Sequence, residues 1–389
     1  MTYFHWIAGI ILGLAWFSRL LEAHFGVPKV MDIARPEWNR KRPGHGPRVS
    51  IIVPARNEEA HIEQMLLQLL QLDYDNYEVV AINDRSTDRT GEAMERVVSQ
   101  PEAHGRLRVI HIADLPAGWL GKPHAMWNGA RQSRGEWILF TDADVFFQPD
   151  VLTRALAYVE AESADHLVLF PSFTMESVGE KMMIAFFQAL FVFGHRPWKV
   201  ADPKTKDFMG VGAFNMIRRS VYEAVGTYAA LRFDVLDDMK LGKLVKTGGY
   251  AQRNVFGHGL ISIRWAHSAM GVVNNLTKNM FSVMSFQWWR AIAGAIALVF
   301  LNLLPFAGVL LAHGWARLPY AVALASIFGI YVGMSWLSNV RSYYFFLHPV
   351  SSALFVYIVL RSMTLTLVRG GVVWRGTFYP LEELKRGIV

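Results

Sequence analysis

An α/β domain on a mostly parallel sheet, joined to apolar helices long enough to enter a bilayer, is the fold class this sequence predicts. Two observations predict it. Strand-like and helix-like stretches alternate through the middle of the chain, and the ends carry long runs without Lys, Arg, Asp or Glu. Ala291 to His313, Leu318 to Val340 and Ser342 to Leu360 are three such runs, each close to the roughly 20 residues a helix needs to cross a membrane. Met1 to Ser18 is a fourth. It lacks a basic leader and an obvious small-residue cleavage site, so it reads as an uncleaved anchor rather than a signal peptide.

Composition agrees. Of 389 residues 52% are hydrophobic, and the excess sits in those runs, while the middle, Arg48 to Trp265, holds most of the acids. The net charge of +7 fits a membrane surface or a phosphorylated substrate, and no aromatic and basic array points to nucleic acid. There is no cysteine, which excludes disulfides and thiolate metal sites. The flank ARPEWNRKRPGHGPR reads as a juxtamembrane linker, and its Arg40, Lys41, Arg42 and Arg48 favour the cytoplasmic side by the positive-inside rule. The organisation expected is therefore an anchor over 1–25, a basic linker over 26–47, the α/β domain over 48–265, an interfacial amphipathic helix over 266–290, transmembrane helices over 291–368, and a C-terminal tail over 369–389 on the cytoplasmic side. The expectation is a multi-pass protein of the cell (inner) membrane with its α/β domain in the cytoplasm.

In the middle, RVSIIVPARNEEAHIEQMLLQLL is a β-branched strand, a turn at Pro54 and an amphipathic helix, and YEVVAINDRSTDRTGEAMERVV repeats the plan. LRVIHIADLP, KPHAMWNGARQS, GEWILF, PDVLTRALAYVE and HLVLF continue it as strand, helix, strand, helix and strand. Such alternation implies helices on both faces of a parallel sheet, whose ligands bind beyond the carboxyl ends of the strands. Three polar clusters fall there: Ala55 to Glu59, Asn83 to Asp88, and Asp142 to Asp144. Any one of them alone reads as turn chemistry. In the third, extended geometry carried past Phe140 puts the Asp142 and Asp144 carboxylates on one side, where they repel, so a cation is expected between them or one is neutral.

The segments VPARNEE, NDRSTDRT, GKPHAMWNGA, FTDADV, GVGAFNMIRRSVYEAVG and LDDMKLG occur in the order seen in family 2 glycosyltransferases with the GT-A fold, which this chain resembles over about residues 48 to 245. The flanking apolar segments and the ending GGVVWRGTFYPLEELKR resemble the membrane-bound branch that glycosylates lipids, including hopanoid-associated, carotenoid and ceramide-type enzymes. The resemblance implies that Asp144 holds Mg²⁺ or Mn²⁺ against the donor diphosphate, with Asp142 on the ribose or assisting the metal. A hard cation suits such oxygens and would relieve the repulsion. It implies further that Pro54, Ala55 and Glu58 pack on the nucleoside, that Asp84 reads the base, and that Lys122 approaches the diphosphate as a point charge. Lys122 also reads as a solvated lysine at a helix start. Asp238 aligns with the general base that takes the acceptor hydroxyl proton, and Asp237 stands where the family has Glu. Both acids also suit the start of a helix at Met239.

On the acceptor side, KMMIAFFQALFVFGHRPWKV is too short to span and reads either as a core helix or as a helix resting on the bilayer. SAMGVVNNLTKNMFSVMSFQWWRA reads as an interfacial helix. Polysaccharide synthases carry Gln-x-x-Arg-Trp, whereas here Gln287 and Arg290 are followed by Ala291. The expected activity is therefore inverting, metal-dependent transfer of one sugar from a UDP- or GDP-sugar to a hydroxyl of a membrane lipid. A processive polysaccharide synthase, a membrane nucleotidyltransferase and an inactive transferase-like scaffold are the alternatives. His258 and His267 read as a third metal ligand or as structural histidines. Finally, Arg361, Arg369, Arg375, Lys385 and Arg386 favour a cytoplasmic tail, so Ser342 to Leu360, interrupted by His348 and Pro349, reads as a segment that does not cross. The resemblance of VVWRGTFYP places Arg375 as a bidentate contact to the donor diphosphate.

Overall fold

The computed structural model describes residues 2–40, 46–338 and 340–387. Lys41 and Arg42 of the basic linker lie outside the described residues. The chain forms two compact units. One holds the sheet and comprises Val30–Thr174, Lys199–Arg264 and Glu382–Val389; the other comprises Met1–Lys29, Met175–Trp198 and Trp265–Leu381. The division differs from one continuous 48–265 block, because the helix Val178–Gly194 belongs with the apolar helices.

The strands of the first unit, in chain order, are β1 (Val49–Ala55), β2 (Tyr77–Asp84), β3 (Leu107–Ile112), β4 (Trp137–Phe140), β5 (Val145–Phe147), β6 (His166–Phe170), β7 (Ser172–Phe173), β8 (Asn215–Arg218), β9 (Gln252–Phe256) and β10 (Ile261–Ile263). Seven of them form one sheet in the order β3-β2-β1-β4-β8-β6-β9. Only β8 runs against its neighbours β4 and β6; the other pairings are parallel, so the sheet is mostly parallel as the alternation predicts. Every residue of β1 is buried. Val49, Ile51 and Val53 face one core and Ile52 the other, the period of two that a strand covered on both faces requires. The helix Ile62–Leu70 covers one face with Ile62, Met65, Leu66 and Leu69, at helical spacing. On the other face Ala125, Met126 and Ala130 of the helix Gly121–Gln132 pack into the second core.

Strand geometry does not continue through the two aspartates. β4 ends at Phe140, and Ala143 and Asp144 form a turn before β5. The premise that both carboxylates leave one strand on one side is therefore corrected. The reason is local: Thr141 donates its hydroxyl to the Ala213 carbonyl at 2.8 Å, and the Asp142 N–H donates to the Gly212 carbonyl at 3.1 Å, so the chain here pairs with a loop.

Within the second unit, four helical stretches are long and apolar enough to cross a membrane: Tyr3–Lys29, Trp288–Leu311, Gly314–Leu337 and Ser342–Arg369. Several polar groups buried among them find partners, which apolar surroundings favour. The Trp16 indole donates to the Leu301 carbonyl at 2.8 Å, and His348 lies between the Tyr331 hydroxyl at 3.1 Å and Asn302 at 3.2 Å. The last stretch is interrupted where the sequence suggests, with a 3₁₀ segment Ser342–Leu347 followed by the α-helix His348–Arg369. Pro349 occupies the first turn, where it starts a helix rather than breaking one, and the helix runs past Leu360 to a left-handed Gly370. The helix Val178–Gly194 opens with a capping box between Ser177 and Glu180. It and the helix Ala269–Val283 both pack on His348–Arg369. Ser351 donates to the Met182 carbonyl at 3.3 Å, and the Phe281 N–H donates to Ser362 at 2.9 Å. A hairpin follows, β11 (Gly371–Trp374) and β12 (Thr377–Pro380). Arg375 and Gly376 form its two-residue turn with φ of 47° and 77°, the positive values such a turn needs.

Candidate active site

Several of the residues singled out from the sequence gather at one edge of the sheet. The Lys122 ammonium lies 2.6 Å from Asp142 Oδ1 and 4.0 Å from Asp237 Oδ1. The cation beside Asp142 is a lysine of the protein, held in the first turn of the helix Gly121–Gln132 rather than solvated. Burial opposes the charge on Lys122, but Asp142, Asp237 and Asp238 together outweigh it and hold the ammonium well above the ordinary lysine range. Asp237 and Asp238 form the first turn of the helix Asp237–Thr247, two residues earlier than a start at Met239, where negative charge meets the positive end of the helix dipole. Asp238 also accepts the Met239 N–H at 2.7 Å.

Burial pushes the Asp237 carboxyl up to about 7; Lys122 pulls it down, and Asp238 and Asp142 push it further up. Asp237 is 3% exposed, and its Oδ2 has no hydrogen-bond partner among the described residues. Burial raises Asp238 as well, against Lys122 and hydrogen bonds from the Met239 and Gly212 backbone. The pair therefore keeps a proton well above the usual carboxylate range. Gly212 leaves room for Asp142 and Lys122: a Cβ there would meet Asp142 Oδ2 at 2.5 Å and Lys122 Nζ at 3.3 Å, so any larger residue would displace the two side chains.

Below this loop lies a buried polar network. His166 is bonded on one ring nitrogen to Asn215 and on the other to the Gln252 amide at 2.8 Å. Gln252 in turn accepts the Met209 N–H at 2.9 Å and donates to the Gly242 carbonyl at 3.0 Å, while Asn215 donates to the Asp238 carbonyl at 3.4 Å. Burial drives His166 down to about 4, so it is neutral at physiological pH.

The other two polar clusters are knitted to each other. Thr90 accepts the Glu58 N–H at 2.8 Å, Asn57 accepts the Thr87 N–H at 2.8 Å, and Glu59 accepts the Arg89 N–H at 3.0 Å. Pro54 and Ala55 close β1 beside Ile82 and Asn83 of β2. Asp84 ends β2, is 4% exposed, and accepts both arms of Arg85 at 2.7 and 3.0 Å. His124 feels that pair: burial lowers its pKa, Asp84 raises it and Arg85 lowers it. Arg375 belongs to the second unit. Sequence reasoning missed Arg85, His124, His166, Gly212 and Asp234, a buried acid pushed by burial to about 6. The first two lie inside NDRSTDRT and GKPHAMWNGA, so the motifs pointed at them without marking them.

Among the described residues no group of three or more His, Asp or Glu is placed to hold a metal, and His258 instead bonds Asp32 at 2.8 Å. A metal caged by the protein alone does not fit. A hard divalent cation that takes Asp144 and Asp142 and fills its remaining positions with phosphate oxygens and water does fit the donor set.

Residues 50–237 match the Glycosyl transferase family 2 model. The chain carries a family 2 glycosyltransferase domain. Over 341 residues this glycosyltransferase is 20% identical to 4,4'-diaponeurosporenoate glycosyltransferase of Staphylococcus aureus (strain MRSA252), covering 86% of its own length and 89% of the relative's. Its fold is similar to that of a mannosyltransferase from Pyrobaculum calidifontis solved in complex with GDP-Man and Mn²⁺, with a TM-score of 0.54 at 19% identity, covering 93% of this chain and 99% of that one. The fold is GT-A, and the protein is a nucleotide-sugar glycosyltransferase with four helical stretches long and apolar enough to cross a membrane.

Proposed function

We propose that this glycosyltransferase moves a single sugar, with inversion, from a UDP- or GDP-sugar to a hydroxyl group of a membrane lipid. The observation that carries the reading is the cluster in which Lys122 lies 2.6 Å from Asp142 and 4.0 Å from Asp237, next to Asp238. It sets a phosphate-seeking cation beside a carboxylate pair of raised proton affinity. Asp238 takes the proton of the acceptor hydroxyl as that oxygen forms its bond to the anomeric carbon; the bond from that carbon to the diphosphate breaks, and its electron pair leaves with the nucleoside diphosphate. One base and one displacement give inversion. Asp237, protonated for part of the time at neutral pH, limits the negative charge beside Asp238. Lys122 meets the departing diphosphate as a point charge. Asp144 and Asp142 would hold a divalent cation, which would supply Lewis-acid neutralisation of that leaving group. The S. aureus relative, named for the glycosylation of a carotenoid acid, supports an apolar acceptor.

The membrane topology follows from chain continuity. Arg264 and Glu382 belong to the same compact unit, so the segment between them crosses a bilayer an even number of times. It holds three candidate spans. We infer that Trp288–Leu311 and Gly314–Leu337 cross as a hairpin and that Ser342–Arg369 does not, since it packs along the helices Val178–Gly194 and Ala269–Val283, which are too short to span. Arg40 and Arg48 support a cytoplasmic sheet unit by the positive-inside rule.

The test is a reaction of the purified protein with nucleotide sugars, membrane lipid extract and Mg²⁺ or Mn²⁺, read by mass spectrometry. A lipid gaining the mass of one hexose, lost on chelation, is expected. A ladder of several hexoses would mean a processive synthase, and pyrophosphate release a nucleotidyltransferase.

A further inference from the structure

Between Trp265 and Leu381 the sequence has seven Lys or Arg and no Asp or Glu. Three of those cations share one cavity of about 190 Å³ between the helices Ala269–Val283 and His348–Arg369, lined by Lys278, Arg361 and Arg369 together with the hydroxyl residues Thr277, Ser362 and Thr366. Among the described residues no carboxylate lines it. Arg361 and Arg369 bring two guanidinium groups to one space, where an anion would relieve their repulsion.

The cavity is built rather than incidental. Arg361 donates to Asn274 Oδ1 at 3.0 Å and to Thr277 Oγ1 at 2.8 Å, which fixes its guanidinium across the two helices. Lys278 sits 4.9 Å over the ring of Trp374, so its ammonium is held by a cation–π contact. Trp374 is 8% exposed, and its indole N–H has no acceptor among the described residues. A buried N–H without a partner is rare in folded proteins and calls for a ligand or water.

We propose that this cavity binds a phosphoryl anion, supplied by a lipid headgroup or by free phosphate. Guanidinium, ammonium and hydroxyl donors match the several acceptor oxygens of a phosphate, and a cavity of about 190 Å³ is large enough for a phosphoryl group. The proposal needs no donor nucleotide and does not rest on the transferase reading; only the membrane source of the anion rests on the apolar helices.

The experiment is native mass spectrometry of the full-length protein in detergent, incubated with phosphatidic acid or with phosphatidylcholine, with and without excess inorganic phosphate. The variants are Lys278→Gln, Arg369→Gln and the double substitution; Arg361 is left in place because it ties the two helices together. The wild type is expected to retain phosphatidic acid over phosphatidylcholine, and the double variant to retain it about tenfold less, the loss of roughly one charge-assisted contact. Displacement of the lipid by inorganic phosphate supports the free anion as ligand, and retention against it supports the headgroup. If the double variant melts early, the single substitutions carry the comparison, each expected about threefold weaker by the same reasoning. Equal retention of the two lipids, or equal retention of phosphatidic acid by wild type and by well-folded variants, overturns the proposal.

Discussion

Asp238→Asn keeps the shape of the side chain and removes its ability to accept a proton. Turnover is expected to fall by about 10² to 10⁴, the usual worth of a general base, with nucleotide binding retained in a titration against UDP and GDP. Near-normal turnover would remove Asp238 from that role. Asp144→Ala is expected instead to weaken metal and nucleotide together. For Asp237 the prediction concerns pH. Its folded proton affinity is raised to about 7, so the fold favours the protonated carboxyl, and the stability this contributes is present below the unfolded value and lost as pH rises through about 7. Asp237→Asn removes that loss. The melting temperature of the variant relative to wild type should climb between about pH 4 and pH 7, because the burial cost of the ionised acid grows over that window. A constant difference would mean Asp237 is not the buried acid described. At this scale the sequence was legible wherever a motif named a residue type, as with Asp142, Asp237 and Asp238. It could not show that Lys122 pairs with Asp142, because the two come from different elements and meet only through the sheet. Nor could it show that Arg85 covers its neighbour Asp84, since the contact depends on the left-handed backbone at Arg85, φ 56°.

The helix Asp237–Thr247 and the loop ahead of β8 are positioned by side chains that touch no reacting group. His166 on β6, Asn215 on β8 and Gln252 on β9 join three strands, and through Met209, Gly242 and the Asp238 carbonyl they set the height of the loop against the helix. His166→Leu leaves Asn215 and Gln252 each short of a partner, a penalty of about 1 to 3 kcal/mol for each group left unsatisfied. A shift of Asp238 by a fraction of an ångström is expected to lower kcat by about ten- to a hundredfold with little change in KM for the donor. His166→Gln, which can bond on both sides, should recover part of the loss. If both variants lowered only stability, the network would be structural alone. Strands and helices were readable here from hydrophobic alternation, because each is a local pattern. The reversed direction of β8 was not, since direction is set by its partners β4 and β6 and leaves no mark in the period of Asn215–Arg218. The ambiguity over Val178–Gly194 had the same origin: an apolar run too short to span suits either of two environments, and only packing on His348–Arg369 decides between them.

At the scale of the molecule, the decisive fact is that the end of the chain returns to the sheet unit. Gly387 lies against Phe233, so residues 382–387 share a side of the membrane with the catalytic domain. Charge points the same way through Arg369, Lys385 and Arg386, whereas hydropathy alone offers three candidate spans after the sheet unit, because it measures length and apolarity and is blind to whether a helix has protein or lipid around it. The chain has no cysteine, so single cysteines report position without background. Ser362 is fully buried and unsuited to labelling, whereas Lys385 and His313 are exposed. With Trp288–Leu311 and Gly314–Leu337 crossing as a hairpin, His313→Cys in the connection between them should react with a membrane-impermeant thiol reagent on intact cells. Lys385→Cys should react only after the membrane is opened. Labelling of Lys385→Cys from outside would put the tail, and with it the catalytic domain it folds against, on the outer side and overturn the cytoplasmic assignment.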